Sequence, residues 1–153
     1  MVDIESLRKR YVALNGTRPT PASALSKMEA LAGLPLPPDF RAIAAFFDGD
    51  GLYVLPMFSF NDAVSAVNPV DETARLRASI GLPDNWLVLG EPPASLLIMD
   101  CAAHGRVVWL DAVDASRIGS GRFMGKPDIW DSFSEFFAAM LDEEEEEEER
   151  AGQ

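Results

Sequence analysis

The sequence predicts an α+β fold: an antiparallel or mostly antiparallel sheet of about four to five strands packed against N-terminal and C-terminal helices. Three observations predict it. Apolar residues recur at helical spacing near both ends of the chain, bounded by capping residues and glycines. Three short segments rich in β-branched and aromatic residues lie between them, at Trp86–Leu89, Leu96–Asp100 and Arg106–Leu110. The link Cys101–Gly105 is short enough for a hairpin, which makes the last two strands antiparallel neighbours.

Ser6–Leu14 reads as a short helix with Leu7, Tyr11 and Leu14 on one side, ended by Asn15-Gly16. Thr17–Pro21 is a loop, with Thr20 as an N-cap and Pro21 at the first position of a helix reaching Leu31 and stopped by Gly33. In Leu36–Gly51, Pro37 and Pro38 open a helix, where a missing N–H costs nothing. Asp39 lies in its first turn, favoured by the helix dipole, and Phe40, Ile43, Ala44 and Phe47 form one apolar face. Gly49 and Gly51 supply the positive φ that turns the chain. A strand begins at Leu52–Leu55, and two helical pieces, capped by Ser59 or Asn61 and interrupted at Pro69, reach Ile80. Ala112–Gly125 is loop-like, and Ser132-x-x-Glu135 is a capping box opening a last helix to Leu141. Residues 1–141 are expected to form one domain, and 142–153 an acidic, disordered tail.

The order of these pieces resembles the SUKH superfamily, which includes SMI/KNR-type regulators of fungal cell-wall synthesis and bacterial immunity proteins. Leu36-Pro37-x-Asp39-Phe40, a helix, an acid and glycines resemble its core signature. Met28-Glu29-x-Leu31-x-Gly33 is similar to the preceding helix, and Leu52–Phe58 to the first strand. Val88-Leu89-Gly90, Leu97–Asp100, Arg106–Asp111 and Ser132-Phe133-x-Glu135-Phe136 resemble the later strands and final helix. The resemblance covers roughly Pro21 to Leu141. Asp48-Gly49 replaces a common Asn-Gly, which preserves the turn chemistry.

A chain of 153 residues with 48% hydrophobic content is long enough for a substantial core without staples. No apolar run approaches the ~18 residues of a membrane helix, and the acidic start is unlike a signal peptide. A single cysteine fits a reducing compartment, so a cytoplasmic location is expected. The net charge is −12, but Asp142–Glu149 holds eight of the 25 acids. Residues 1–141 carry 17 acids against 12 bases, a net of −5. Direct nucleic-acid binding needs a basic face, so it is not expected; the charge is compatible with a basic protein partner, whose encounter it would speed more than it would tighten the complex.

Candidate chemistry is sparse. Cys101 and His104 would need further N or S ligands for zinc, or an oriented base for catalysis, so both read as structural. Asp48-Gly49-Asp50-Gly51 resembles the start of a calcium loop, but Leu52, Val54 and Ser59 occupy later positions that need oxygen ligands. Gly119, Gly121 and Gly125 lack the Lys-Ser/Thr of a phosphate loop. Asp100, Asp111 and Asp114 stand near strand ends, where acids are routinely solvated. Neither metal nor cofactor is expected.

Trp86, Trp109 and Trp130 are either core residues or interface anchors. Alternation places Val107, Trp109 and Asp111 on one strand face and Val108 and Leu110 on the other. If the latter pair faces the helices, Trp109 lies on an open sheet face. Trp109 and the adjacent Asp111 follow from that alternation, and with Asp114 and Asp50 they are the expected partner-binding residues. The resemblance implies a non-enzymatic intracellular protein-binding module, an immunity protein that occludes the active site of a cognate toxin. Two alternatives stand beside it: an SMI/KNR-type regulatory or scaffold protein, and a hydrolase or ligand-binding enzyme using the strand-end acids. The oligomeric state is left open.

Overall fold

Residues 2–54 and 57–152 are described by a computed structural model. Helices α1 (Ile4–Asn15), α2 (Ala22–Ala32), α3 (Pro38–Ala44) and α4 (Pro69–Ile80) precede a meander. Its strands are β1 (Trp86–Gly90), β2 (Ser95–Asp100), β3 (Arg106–Asp111) and β4 (Asp128–Trp130), and α5 (Phe133–Ala151) closes the fold. The sheet order is β1-β2-β3-β4 and every pairing is antiparallel, so the expected α+β class holds. β4 and the 3-10 helix Ala112–Arg117 fall where the sequence reads as loop or approach to the last helix.

The helix that opens at Pro38 is shorter than expected because its last carbonyls are claimed from outside. Ala44 O accepts from Thr20 N, Phe46 O from Arg18 N, and Phe47 O from the Thr20 hydroxyl. Thr20 is therefore no helix cap; it pins the exit of α3, and Pro21 takes the N-cap position of α2. Phe47 still enters the core as a fully buried ring. Gly49 follows at φ +92°, where a Cβ would stand 2.1 Å from Phe58 O, so the turn admits only glycine.

Asp39 does more than complement its own helix dipole. Its carboxylate accepts the Ser134 N–H at 2.8 Å, in the first turn of α5, while Ser132 Oγ accepts Glu135 N–H. The β2–β3 turn lies against the same segment, since a Cβ on Gly105 would contact Pro37 at 3.0 Å. The Leu36–Gly51 element thus ties two distant parts of the chain to one point.

Leu52–Val54 does not begin a strand, and Leu55 lies outside the described residues. Backbone donors there go elsewhere: Val54 N–H to Glu144 and Phe58 N–H to Leu89 O. Nor does a helix occupy 59–67; turns run up to Asn68, whose side chain caps α4 by accepting Asp71 N–H. Pro69 stands at the first turn of α4, where proline is tolerated, rather than interrupting a helix.

Both faces of the sheet are covered, which corrects the expectation of one open face. Leu87, Leu89, Leu97, Met99 and Val107 join the main core with α1, α2, α3 and α5. Its centre is aromatic: Phe40 and Phe133 rings lie 4.8 Å apart, and Phe47 and Phe137 4.9 Å apart. On the opposite face Val88, Leu96, Ile98, Val108 and Leu110 pack with Leu76 of α4, Leu82 and Ile118. The reason is visible in β2, whose Leu96-Leu97-Ile98-Met99 is apolar at consecutive positions and so must be buried on both sides.

The last helix does not stop at Leu141. It continues through Ala151, so residues expected as a disordered tail are helical to that point. Phe133, Phe137, Met140, Leu141 and Glu144 follow one buried stripe, which carries the apolar face one turn into the glutamate run.

Candidate functional site

The expected partner residues separate into two places. Trp109 pairs across the sheet with Leu97 and Asp128 and is half-buried against the main core, not on an open face. Asp111 ends β3 and is exposed. Asp114 is 1% exposed and accepts N–H groups of Met124 at 2.8 Å and Gly125 at 3.0 Å. Those bonds, followed by Arg117, hold its carboxyl below the ordinary aspartate range. Asp111 and Asp114 flank Gly125, where an added Cβ would lie 2.5 Å and 3.5 Å from their carboxylate oxygens. Trp109, Asp111 and Asp114 are thus neighbours around the loop leading into β4.

Asp50 stands elsewhere, in the turn after α3. Its side chain is exposed and meets Arg18 at 3.2 Å, while Asp48 meets the same guanidinium at 3.2 Å. The Asp50 carbonyl accepts the Tyr11 hydroxyl at 2.9 Å. Burial, and then the charge of Asp48, raise the Tyr11 phenol above its ordinary value.

Asp100 and Asp111 do not form a hydrolytic pair. Register places Asp100 opposite Arg106 and Asp111 opposite Ser95, at opposite ends of the β2–β3 hairpin. Asp100 accepts bonds from Asn85 and Ala102 N–H, a strand-end arrangement that needs no substrate. Asp114 is shifted downward, whereas a general acid needs an upward shift. Cys101 is pushed up to about 11 by burial and then by Asp100, the reverse of thiolate activation. His104 is an exposed residue in the hairpin turn at φ +55°. Among the described residues, no group of three or more His, Cys, Asp or Glu is placed to hold a metal. No described helix is long and apolar enough to cross a membrane.

Among the described large hydrophobic side chains, the most exposed carries no functional signal in the sequence. Tyr53 is 89% exposed and, with Val54, lines a shallow depression against Glu143 and Glu147 of α5. Two contacts fix the helix there. Arg10 of α1 bridges Asp142 and Glu145, each at 2.6 Å, and its charge is further favoured by the Glu145 bond. Glu144, only 7% exposed, accepts Val54 N–H at 3.0 Å. Glu144 was findable, because it continues the stripe of Phe133, Phe137 and Leu141; Arg10 carried no such signal.

Chemically, this arrangement presents an aromatic ring beside carboxylates, groups suited to contact with a partner. No curated protein matches the chain at significant similarity. The sequence does match the SMI1 / KNR4 family (SUKH-1) over residues 19–139. That match spans most of the chain, from the loop before α2 into α5, and the chain belongs to the SMI1 / KNR4 family (SUKH-1).

Proposed function

We propose that this SUKH-type chain is a non-enzymatic protein-binding module, acting in the cytosol, that neutralises a cognate bacterial toxin by covering its active site. Family membership supports an immunity or SMI1/KNR4-type protein. The toxin-neutralising role is supported by one observation: Tyr53 projects beside Glu143 and Glu147 on a helix that Arg10 and Glu144 fasten to the fold. Aromatic side chains anchor protein interfaces, and the surrounding acids favour a partner with a basic surface. Asp50 and Asp111 are accessible contact residues in this reading. Trp109 and Asp114 are not contact residues in this reading, because the first packs on the core and the second closes the loop leading into β4.

The test is co-expression with any toxin-like gene found beside this one, scoring growth rescue and co-purification. Rescue with a stable complex is the expected result. Tyr53→Ala and E143Q/E147Q should each weaken that complex by about tenfold or more, with the double variant acting mainly on the association rate. A folded chain that neither rescues growth nor co-purifies overturns the proposal.

A further inference from the structure

The acidic extension of α5 is held against its own electrostatics. Asp142, Glu143, Glu144 and Glu145 each face a glutamate one turn later, at Glu146, Glu147, Glu148 and Glu149. Like charges at that spacing repel, and carboxylates near a helix C-terminus oppose the dipole. The only base within the extension, Arg150, pairs locally with Glu146 and Glu147. The helix therefore depends on contacts from other elements: Arg10 to Asp142 and Glu145, and the buried Glu144 carboxylate to Val54 N–H.

The Glu144 bond joins two segments that are otherwise unlike. One is a highly charged helix; the other is the turn carrying Tyr53. From this we infer that the α5 extension is a charge-sensitive latch. The more of its outward carboxylates are neutralised, the more firmly the helix forms, and Glu144 passes that firmness to the Tyr53 turn. A basic surface approaching Glu143, Glu146 and Glu147 would remove their repulsion and tighten the turn in the same event. The inference goes beyond partner recognition, and the isolated chain tests it without a toxin.

The measurement is residue-resolved amide hydrogen exchange at neutral pH and fixed ionic strength. Glu144→Ala removes the acceptor and should speed exchange at Val54 by about tenfold, while Glu144→Gln, which keeps an acceptor oxygen, should restore most of the protection. E143Q/E148Q/E149Q changes only exposed side chains and leaves the Arg10 and Arg150 ion pairs in place. It should slow exchange both in residues 145–151 and at Val54. Sheet amides of Leu97 and Met99 report whether each variant keeps its fold; if Glu144→Ala loses it, the triple variant decides alone. Unchanged Val54 exchange in a folded Glu144→Ala chain overturns the inference. So does a triple variant in which the helix gains protection and Val54 does not.

Discussion

Replacing Asp39 by alanine tests the link between the family signature and the last helix. In the folded chain the Asp39 carboxylate accepts Ser134 N–H at 2.8 Å, and Ser134 is 8% exposed. Asp39→Ala leaves that donor without its partner in a site with little access to water. Loss of such a cap costs about 1–2 kcal/mol. For a chain of this length the melting temperature should fall by about 2–8 °C. Asp39→Asn keeps an acceptor but loses the charge at the helix N-terminus, so it should cost about 0.3–1 kcal/mol. Urea unfolding followed by circular dichroism gives both values, with the slope against urea showing whether the transition is unchanged. If Asn is as damaging as Ala, the hydrogen bond to Ser134 is not the source of the effect. If Ala lies within about 0.3 kcal/mol of the parent chain, the capping argument fails entirely.

Gly49→Ala places a Cβ 2.1 Å from Phe58 O at φ +92° and should cost more than about 2 kcal/mol. Gly33→Ala, with no atom within 4 Å of the new Cβ, should cost only about 1 kcal/mol from backbone strain, as paired urea melts would show. Asp114 has a folded value below its ordinary 3.8, so its carboxylate stabilises the fold above that pH and loses this contribution as pH falls through the lower folded value. The stability gap between the parent chain and Asp114→Asn should accordingly be level near neutrality and close below about pH 4. Cys101, raised to about 11, should alkylate at pH 8 at least about a hundredfold more slowly in the native chain than in urea. Comparable rates would remove burial as the controlling factor.

Signals that act between adjacent residues were readable along the chain. Ser132 caps α5, Gly33 ends α2 in the left-handed region, and the hairpin of β2 and β3 closes over Cys101–Gly105. Even where a boundary shifted, the local chemistry was present. Asn68 and Pro69 form a good helix start, although the sequence reading took Pro69 as an interruption. The same local order carried the family resemblance that the match over residues 19–139 establishes.

The site was less legible because its residues are set by which distant segment arrives beside them. Trp109 reads as an outward anchor only if one sheet face is bare, and α4 with Leu82 and Ile118 covers the face opposite the main core. Asp114 reads as a strand-end acid until the Met124 and Gly125 amides close on it. The glutamate run reads as a solvated tail until Arg10 and Val54 supply partners for it.

By itself the sequence determined the fold class, the strand set from Trp86 to Asp111, most helix starts and stops, and the family, because backbone preference and apolar spacing are local properties. The tertiary structure decided that both sheet faces are buried, that Asp39 caps α5, and that the acidic helix continues past Leu141 with Tyr53 at its side. Those outcomes depend on charges and hydrogen-bond partners brought together from opposite ends of the chain, and no single window of sequence contains both members of the pair.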